Sequence, residues 1–185
     1  MARETLKLRL ASELQKDSIV DGEGLRTVIW FQGCPHNCKG CHNPHSHSFT
    51  KGILTDITKI KEYIASLKDQ DGITFSGGEP FSQPEALLEI AKYVKEQKLN
   101  IWLYTGYTFE QLLNMSEQNP LYLDILKITD VLVDGKFILE EKSLNMKFRG
   151  SKNQRILDCK KSIKDKRPVL IQKYRKEKKV KLNIY

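Results

Sequence analysis

The chain has 185 residues, 39% of them apolar, and 31 Lys+Arg against 23 Asp+Glu for a formal net charge of +8. That length makes one domain the default and supplies enough apolar side chain for a core without disulfide staples. No purely apolar run exceeds four residues (Val28 to Phe31), too few for a membrane span or a signal segment, so a cytoplasmic protein without membrane attachment is expected.

The charge is unevenly placed. Residues 1–135 carry 14 basic and 18 acidic side chains, whereas residues 136–185 carry 17 and 5. A mildly acidic body thus ends in a basic tail, and the high overall charge is no sign of a nucleic-acid-binding face on the body.

In chain order, residues 25–32 (LRTVIWFQ) are rich in β-branched and aromatic side chains and read as a buried strand after the turn at Asp21-Gly22-Glu23-Gly24. Ile57, Ile60, Ile64 and Leu67 recur at helical spacing over residues 55–67, with Thr55 or Asp56 as N-cap. A short strand follows over residues 72–76 (GITFS), then Gly77-Gly78-Glu79-Pro80 and a second helix over 83–97 through Leu87, Leu88, Ala91 and Val94. Residues 100–105 (NIWLYT) read as a strand, 109–115 as a helix, and 130–133 (DVLV) as a strand closed by Asp134-Gly135. Such alternation predicts an α/β fold of parallel βα units with right-handed crossovers. Ligands of such sheets bind beyond the carboxyl ends of the strands. The unusual residues all fall there, so they are expected to converge on one site.

Three of the four cysteines lie within eight residues, at Cys34, Cys38 and Cys41. Such crowding cannot staple distant segments, and the spacing Cys-x3-Cys-x2-Cys points to a metal. Three thiolates on one tight loop can each hold one iron of a 4Fe-4S cluster and leave the fourth open to a substrate. Zinc is the alternative, because His36, His42, His45 and His47 lie in or just beyond the same loop and Cys3His is a common zinc set. A zinc module would leave the Gly-Gly-Glu-Pro turn without a purpose, whereas two glycines let backbone approach a ligand closely and Glu79 suits an ammonium group. Among the remaining residues, His45 and His47 read as plain loop, Trp30 and Trp102 as core, and Cys159 as a bystander thiol.

Joined to that turn, the cysteine loop resembles the signature of the radical S-adenosylmethionine enzymes. More narrowly, QGCPHNCKGCHNP at 32–44, TFSGGEP at 74–80, LYTGYTFEQL at 103–112, DVLVDGKF at 130–137 and RGSKNQRILD at 149–158 are similar to the activases of anaerobic (class III) ribonucleotide reductases. The resemblance implies a partial, open parallel βα barrel, because 185 residues are too few for a full one of about 250. It implies a 4Fe-4S cluster on Cys34, Cys38 and Cys41, and S-adenosylmethionine held at Gly40, Cys41, His42, Gly77, Gly78 and Glu79. Thr105 and Asp134 are further candidate contacts at strand ends. The implied partners are the large subunit of the reductase, whose glycine would receive the radical, and a flavodoxin- or ferredoxin-like electron donor. An activase of the formate-lyase type is the near alternative, and a zinc module binding nucleic acid through its basic end the distant one. The similar stretches span roughly residues 15 to 158, and residues 1–159 are expected to form the activase domain. That leaves 160–185 as a basic extension, with residues 168–174 and 180–185 expected as hairpin arms or edge strands.

Overall fold

The structure is a computed structural model that describes residues 5–175. Eight strands form one mixed sheet: β1 (Lys7–Leu10), β2 (Gln15–Ser18), β3 (Arg26–Phe31), β4 (Ile53–Asp56), β5 (Gly72–Gly77), β6 (Asn100–Tyr104), β7 (Val131–Asp134) and β8 (Arg155–Asp158). Their order is β4-β1-β3-β5-β6-β7-β8, and β2 pairs with β3 beyond β1. Four strands, β3, β5, β6 and β7, run parallel, while β1, β2, β4 and β8 join antiparallel at the two sides. The parallel core is the set of strands expected from the sequence. The antiparallel flanks were not anticipated, because three of them are four-residue segments with charged or half-exposed patterns (KLRL, QKDS, ILTD) that carry no strong strand signal.

Five helices join the strands: α1 (Ile57–Ser66), α2 (Pro84–Glu96), α3 (Phe109–Met115), α4 (Leu121–Ile128) and α5 (Cys159–Asp165). Asp56 caps α1, its carboxylate accepting from Thr58 N, and Thr108 with Gln111 forms a capping box at α3. Sequence reading missed α4 and α5. The first packs against α2, and the second begins at Cys159, so the division drawn between residues 159 and 160 falls within its first turn. Residues 169–171 run antiparallel along β8 (Asp158 N to Val169 O 2.9 Å, Ile171 N to Ile156 O 2.9 Å) and end in a 3-10 turn, Gln172–Tyr174. The second expected arm, 180–185, lies outside the described residues. Among the described residues no helix is long and apolar enough to cross a membrane.

Register separates the sheet into two faces. Ile29, Phe31, Ile73, Phe75, Ile101, Leu103, Leu132 and Leu157 share one face and pack under the helices in the main core. Arg26, Val28, Trp30, Thr74, Ser76, Trp102, Tyr104, Val133 and Ile156 share the other. Trp102, Val133 and Ile156 there pack with Tyr174 in a separate, smaller cluster. Trp102 is core as expected, but Trp30 is half-exposed and donates to Gln15 through its indole N–H.

Candidate functional site: a cysteine-lined cavity at the strand ends

The cysteine loop leaves β3 and is pinned at both ends. Gly33 N donates to Ser46 O (2.8 Å), Cys34 N to His47 O (3.1 Å), and the Gln32 side chain to the carbonyls of His45 and Ser48. The Gly-Gly turn after β5 crosses close to it: Gly78 N donates to Phe31 O (2.7 Å) and Glu79 N to Gly33 O (2.8 Å). Gly77 lies at φ +102°, and a Cβ there would come within 2.6 Å of Phe31 backbone atoms; one on Gly78 would lie 2.5 Å from Gly33 O. Only glycine permits both the conformation and the approach, so the turn's glycines first serve to bring two strand ends together.

Between these loops lies a cavity of about 140 Å³, lined by Cys34, Cys38 and Cys41 on one side and by Ser76, Gly77, Gly78, Tyr104, Thr105 and Gly106 on the other. His42, its ring 4.9 Å from that of Phe137, stands at the rim and also lines an adjoining cavity of about 800 Å³. Four strand ends therefore meet at one place, as the topology predicted.

Of the residues expected to hold the cofactor, Cys41, His42, Gly77, Gly78 and Thr105 line the cavity, whereas Gly40, Glu79 and Asp134 do not. Gly40 faces Leu139. The Glu79 carboxylate is fully buried and accepts from Phe81 N (3.1 Å), the Thr105 hydroxyl (2.9 Å), Gly106 N (2.8 Å) and His36 Nε2 (2.7 Å). Four donors fill its lone pairs, which leaves none for an ammonium group. Thr105 spends its hydroxyl proton on Glu79. Asp134, also buried, accepts from Phe109 N (2.7 Å) and twice from Arg155. Each of these polar side chains ties strand ends together.

Other lining residues went unnoticed in the sequence. Ser76, Tyr104, Phe137 and Gln154 line both cavities, and the alternation of β5 and β6 away from the apolar face was the signal for the first two. His47, read as plain loop, lines the cysteine cavity, and its Nε2 is buried with no hydrogen-bond partner. Cys159 lies remote from the site, buried with Sγ 3.2 Å from Leu126 O.

Burial, reinforced by the nearby Glu79 charge, pushes the Cys34 thiol up to about 11, and burial also raises Cys38. All four cysteines are free thiols. Among the described residues no three His, Cys, Asp or Glu side chains close round a single ion. A 4Fe-4S cluster makes no such demand, because each thiolate meets a different iron and need only face a shared space. The unpartnered His47 Nε2 borders the same space.

A family model described as a 4Fe-4S single cluster domain matches residues 20–157. The chain is 38% identical over 144 residues to the anaerobic ribonucleoside-triphosphate reductase-activating protein of Haemophilus influenzae, covering 74% of this chain and 89% of that protein. It is 33% identical over 145 residues to the protein of the same name from Escherichia coli, covering 74% and 90%. The pyruvate formate-lyase-activating enzyme of Clostridium pasteurianum is 37% identical over 134 residues, 68% of this chain and 51% of that enzyme. The chain belongs to the 4Fe-4S single cluster domain family and, within it, to the family of anaerobic ribonucleoside-triphosphate reductase-activating proteins.

Proposed function

We propose that this chain is a radical S-adenosylmethionine activase that installs a glycyl radical on the large subunit of anaerobic ribonucleotide reductase. The observation that carries the reading is the facing of Cys34, Cys38 and Cys41 across one small cavity from Gly77 and Gly78, with a larger cavity opening beside it. Cys34, Cys38 and Cys41 hold the cluster; His42 and the backbone of Gly77 and Gly78 border the cofactor, with Tyr104 between the two spaces. When bound, the reduced cluster and S-adenosylmethionine supply the radical that takes hydrogen from a glycine of the partner.

The chain's own part is to bind, orient and exclude. The eight strands act as a partial, open barrel whose helix-free face admits a backbone segment of another protein. Ile19, Val20 and Leu144 are strongly exposed and line the larger cavity, an apolar lip suited to such a segment. The basic residues after 159 serve as a docking extension for an acidic partner, the reductase or a flavodoxin- or ferredoxin-like donor in the cytoplasm.

Anaerobic purification and metal analysis test the assignment: about four irons per chain are expected, and one zinc with no iron would sink it. With a reductant, the loaded protein should release 5′-deoxyadenosine from S-adenosylmethionine. Cys38→Ala should abolish this and Cys159→Ala should not. A glycyl doublet in electron paramagnetic resonance, after mixing with the reductase or with a formate-lyase-type partner, identifies the target.

A further inference from the structure

His36 is the one side chain between the first two cysteines that reaches back into the protein. Its side chain is 6% exposed, its Nε2 lies 2.7 Å from the fully buried Glu79 carboxylate, and its ring packs edge-on to Tyr107 at 4.5 Å. Phe81 N–H, Gly106 N–H and the Thr105 hydroxyl are the other donors to that carboxylate, so Nε2 carries a proton and donates the fourth hydrogen bond. Gly106 backs directly onto the ring: a Cβ there would lie 2.3 Å from His36 Cδ2. The carboxylate therefore joins three segments: the cysteine loop through His36, the Gly-Gly turn through its own backbone, and the end of β6 through Thr105 and Gly106.

We propose that His36 and Glu79 form a clasp that holds the cysteine loop in register with the cofactor turn, making His36 a positioning residue for the cluster and for the molecule bound on it. This rests on the reading of Cys34, Cys38 and Cys41 as cluster ligands. Three residues separate Cys34 from Cys38, in a loop that carries a positive φ at Asn37, and its exposed residues Pro35 and Asn37 give no other anchor to the interior. Without the clasp, the middle of the loop is free to move relative to the Gly-Gly turn. Partners that orient metal ligands are worth roughly 10- to 100-fold in metal retention or activity when removed.

The test compares anaerobically reconstituted wild type with His36→Phe, His36→Gln, Glu79→Gln and the double variant His36→Phe/Glu79→Gln. Two readouts apply: the rate of iron release to a chelator, and the change in the reduced cluster's electron paramagnetic resonance spectrum on adding S-adenosylmethionine. His36→Phe keeps the packing on Tyr107 but loses the hydrogen bond, and should release iron about tenfold faster with a blunted spectral change. His36→Gln restores a donor and should recover most of both. The double variant should be no worse than the more impaired of the two single variants, since each partner acts through the other. Melting of the apo proteins separates this from a general loss of fold: His36→Gln and Glu79→Gln read the clasp even if His36→Phe folds poorly. Wild-type iron release and spectra in His36→Phe, or a His36→Gln as impaired as His36→Phe, would overturn the clasp alone. A wild-type chain that takes up no iron would overturn the ligand assignment and the clasp with it.

Discussion

The two faces of the same strands are built on different principles. Under the helices, Ile29, Phe31, Ile73, Phe75, Ile101, Leu103, Leu132 and Leu157 expose no surface at all, and the large ring pair Phe31–Phe75 meets edge to face at 5.9 Å. On the opposite face the same strands present Arg26, Thr74, Ser76, Trp102 and Tyr104. Arg26 is fully buried at the amino ends of the strands, where it donates to Thr74, Asn100 and the carbonyls of Glu23 and Ile73, with Trp102 5.7 Å away. Burial brings its guanidinium down to about 10, still charged near neutral pH. Above it, Tyr174 and Phe148 cover Trp102, and beyond them the face opens into the two cavities. One face is continuous apolar burial and carries stability; the other is sealed by hydrogen bonds below and left open above, where a ligand can enter.

The largest expected effect comes from Phe75→Ala, which removes a ring from the closed face and should cost about 4 kcal/mol in urea unfolding. Its neighbour Ser76 points to the open face, and Ser76→Ala should change stability by no more than about 0.5 kcal/mol; equal losses at the two positions would dissolve the contrast between the faces. Asp134→Ala should cost about 2.5 kcal/mol, because it leaves the buried Phe109 amide without its acceptor and takes from Arg155 the buried one of its two carboxylate partners. A melting temperature unmoved by that change, with cofactor binding lost, would put Asp134 in the site after all. Tyr174→Ala, at the lower seal of the open face, should cost about 2 kcal/mol by uncovering Trp102.

The closed face was the more legible in the sequence. Strands buried on one side by helices and crossed in parallel advertise themselves through runs such as VIWF and IWLY, and the helix period through Leu87, Leu88, Ala91 and Val94 needed no tertiary information. The convergence of Cys34, Gly77 and Thr105 followed from the parallel rhythm alone. What the sequence hid was direction. Glu79, Thr105 and Asp134 stand in the right places for a ligand, but a carboxylate's role depends on which donors surround it, and those donors are backbone amides and side chains up to 43 residues away. The short antiparallel strands were equally hidden, since β1 and β4 owe their structure to pairing with each other and not to their own pattern.

The smallest effect concerns an ion-pair network on the helix-covered side of the strand ends. Arg155 on β8 reaches Asp134 at the end of β7 and, bidentate at 3.0 and 2.7 Å, Glu110 in the first turn of α3. That hydrogen bond to Arg155 holds the Glu110 carboxyl down to about 2, from an ordinary value of 4.5. A carboxylate with a lowered folded-state value stabilises fully above 4.5 and loses that contribution as pH falls through 4.5 toward 2. Glu110 is about half exposed (51%), so solvent screening limits the contribution to below about 1 kcal/mol. Other carboxylates also titrate in this window, so the measurement is a difference: wild type minus Glu110→Gln, by urea unfolding at pH 6, 4 and 3. The gap should be widest at pH 6 and narrower at pH 3, and it would close only below about pH 2, where protonation removes from the wild type what the substitution has already removed. No gap at pH 6 would mean that Arg155 answers to Asp134 alone, and that α3 is held to the strand ends by buried Phe109 without this ion pair.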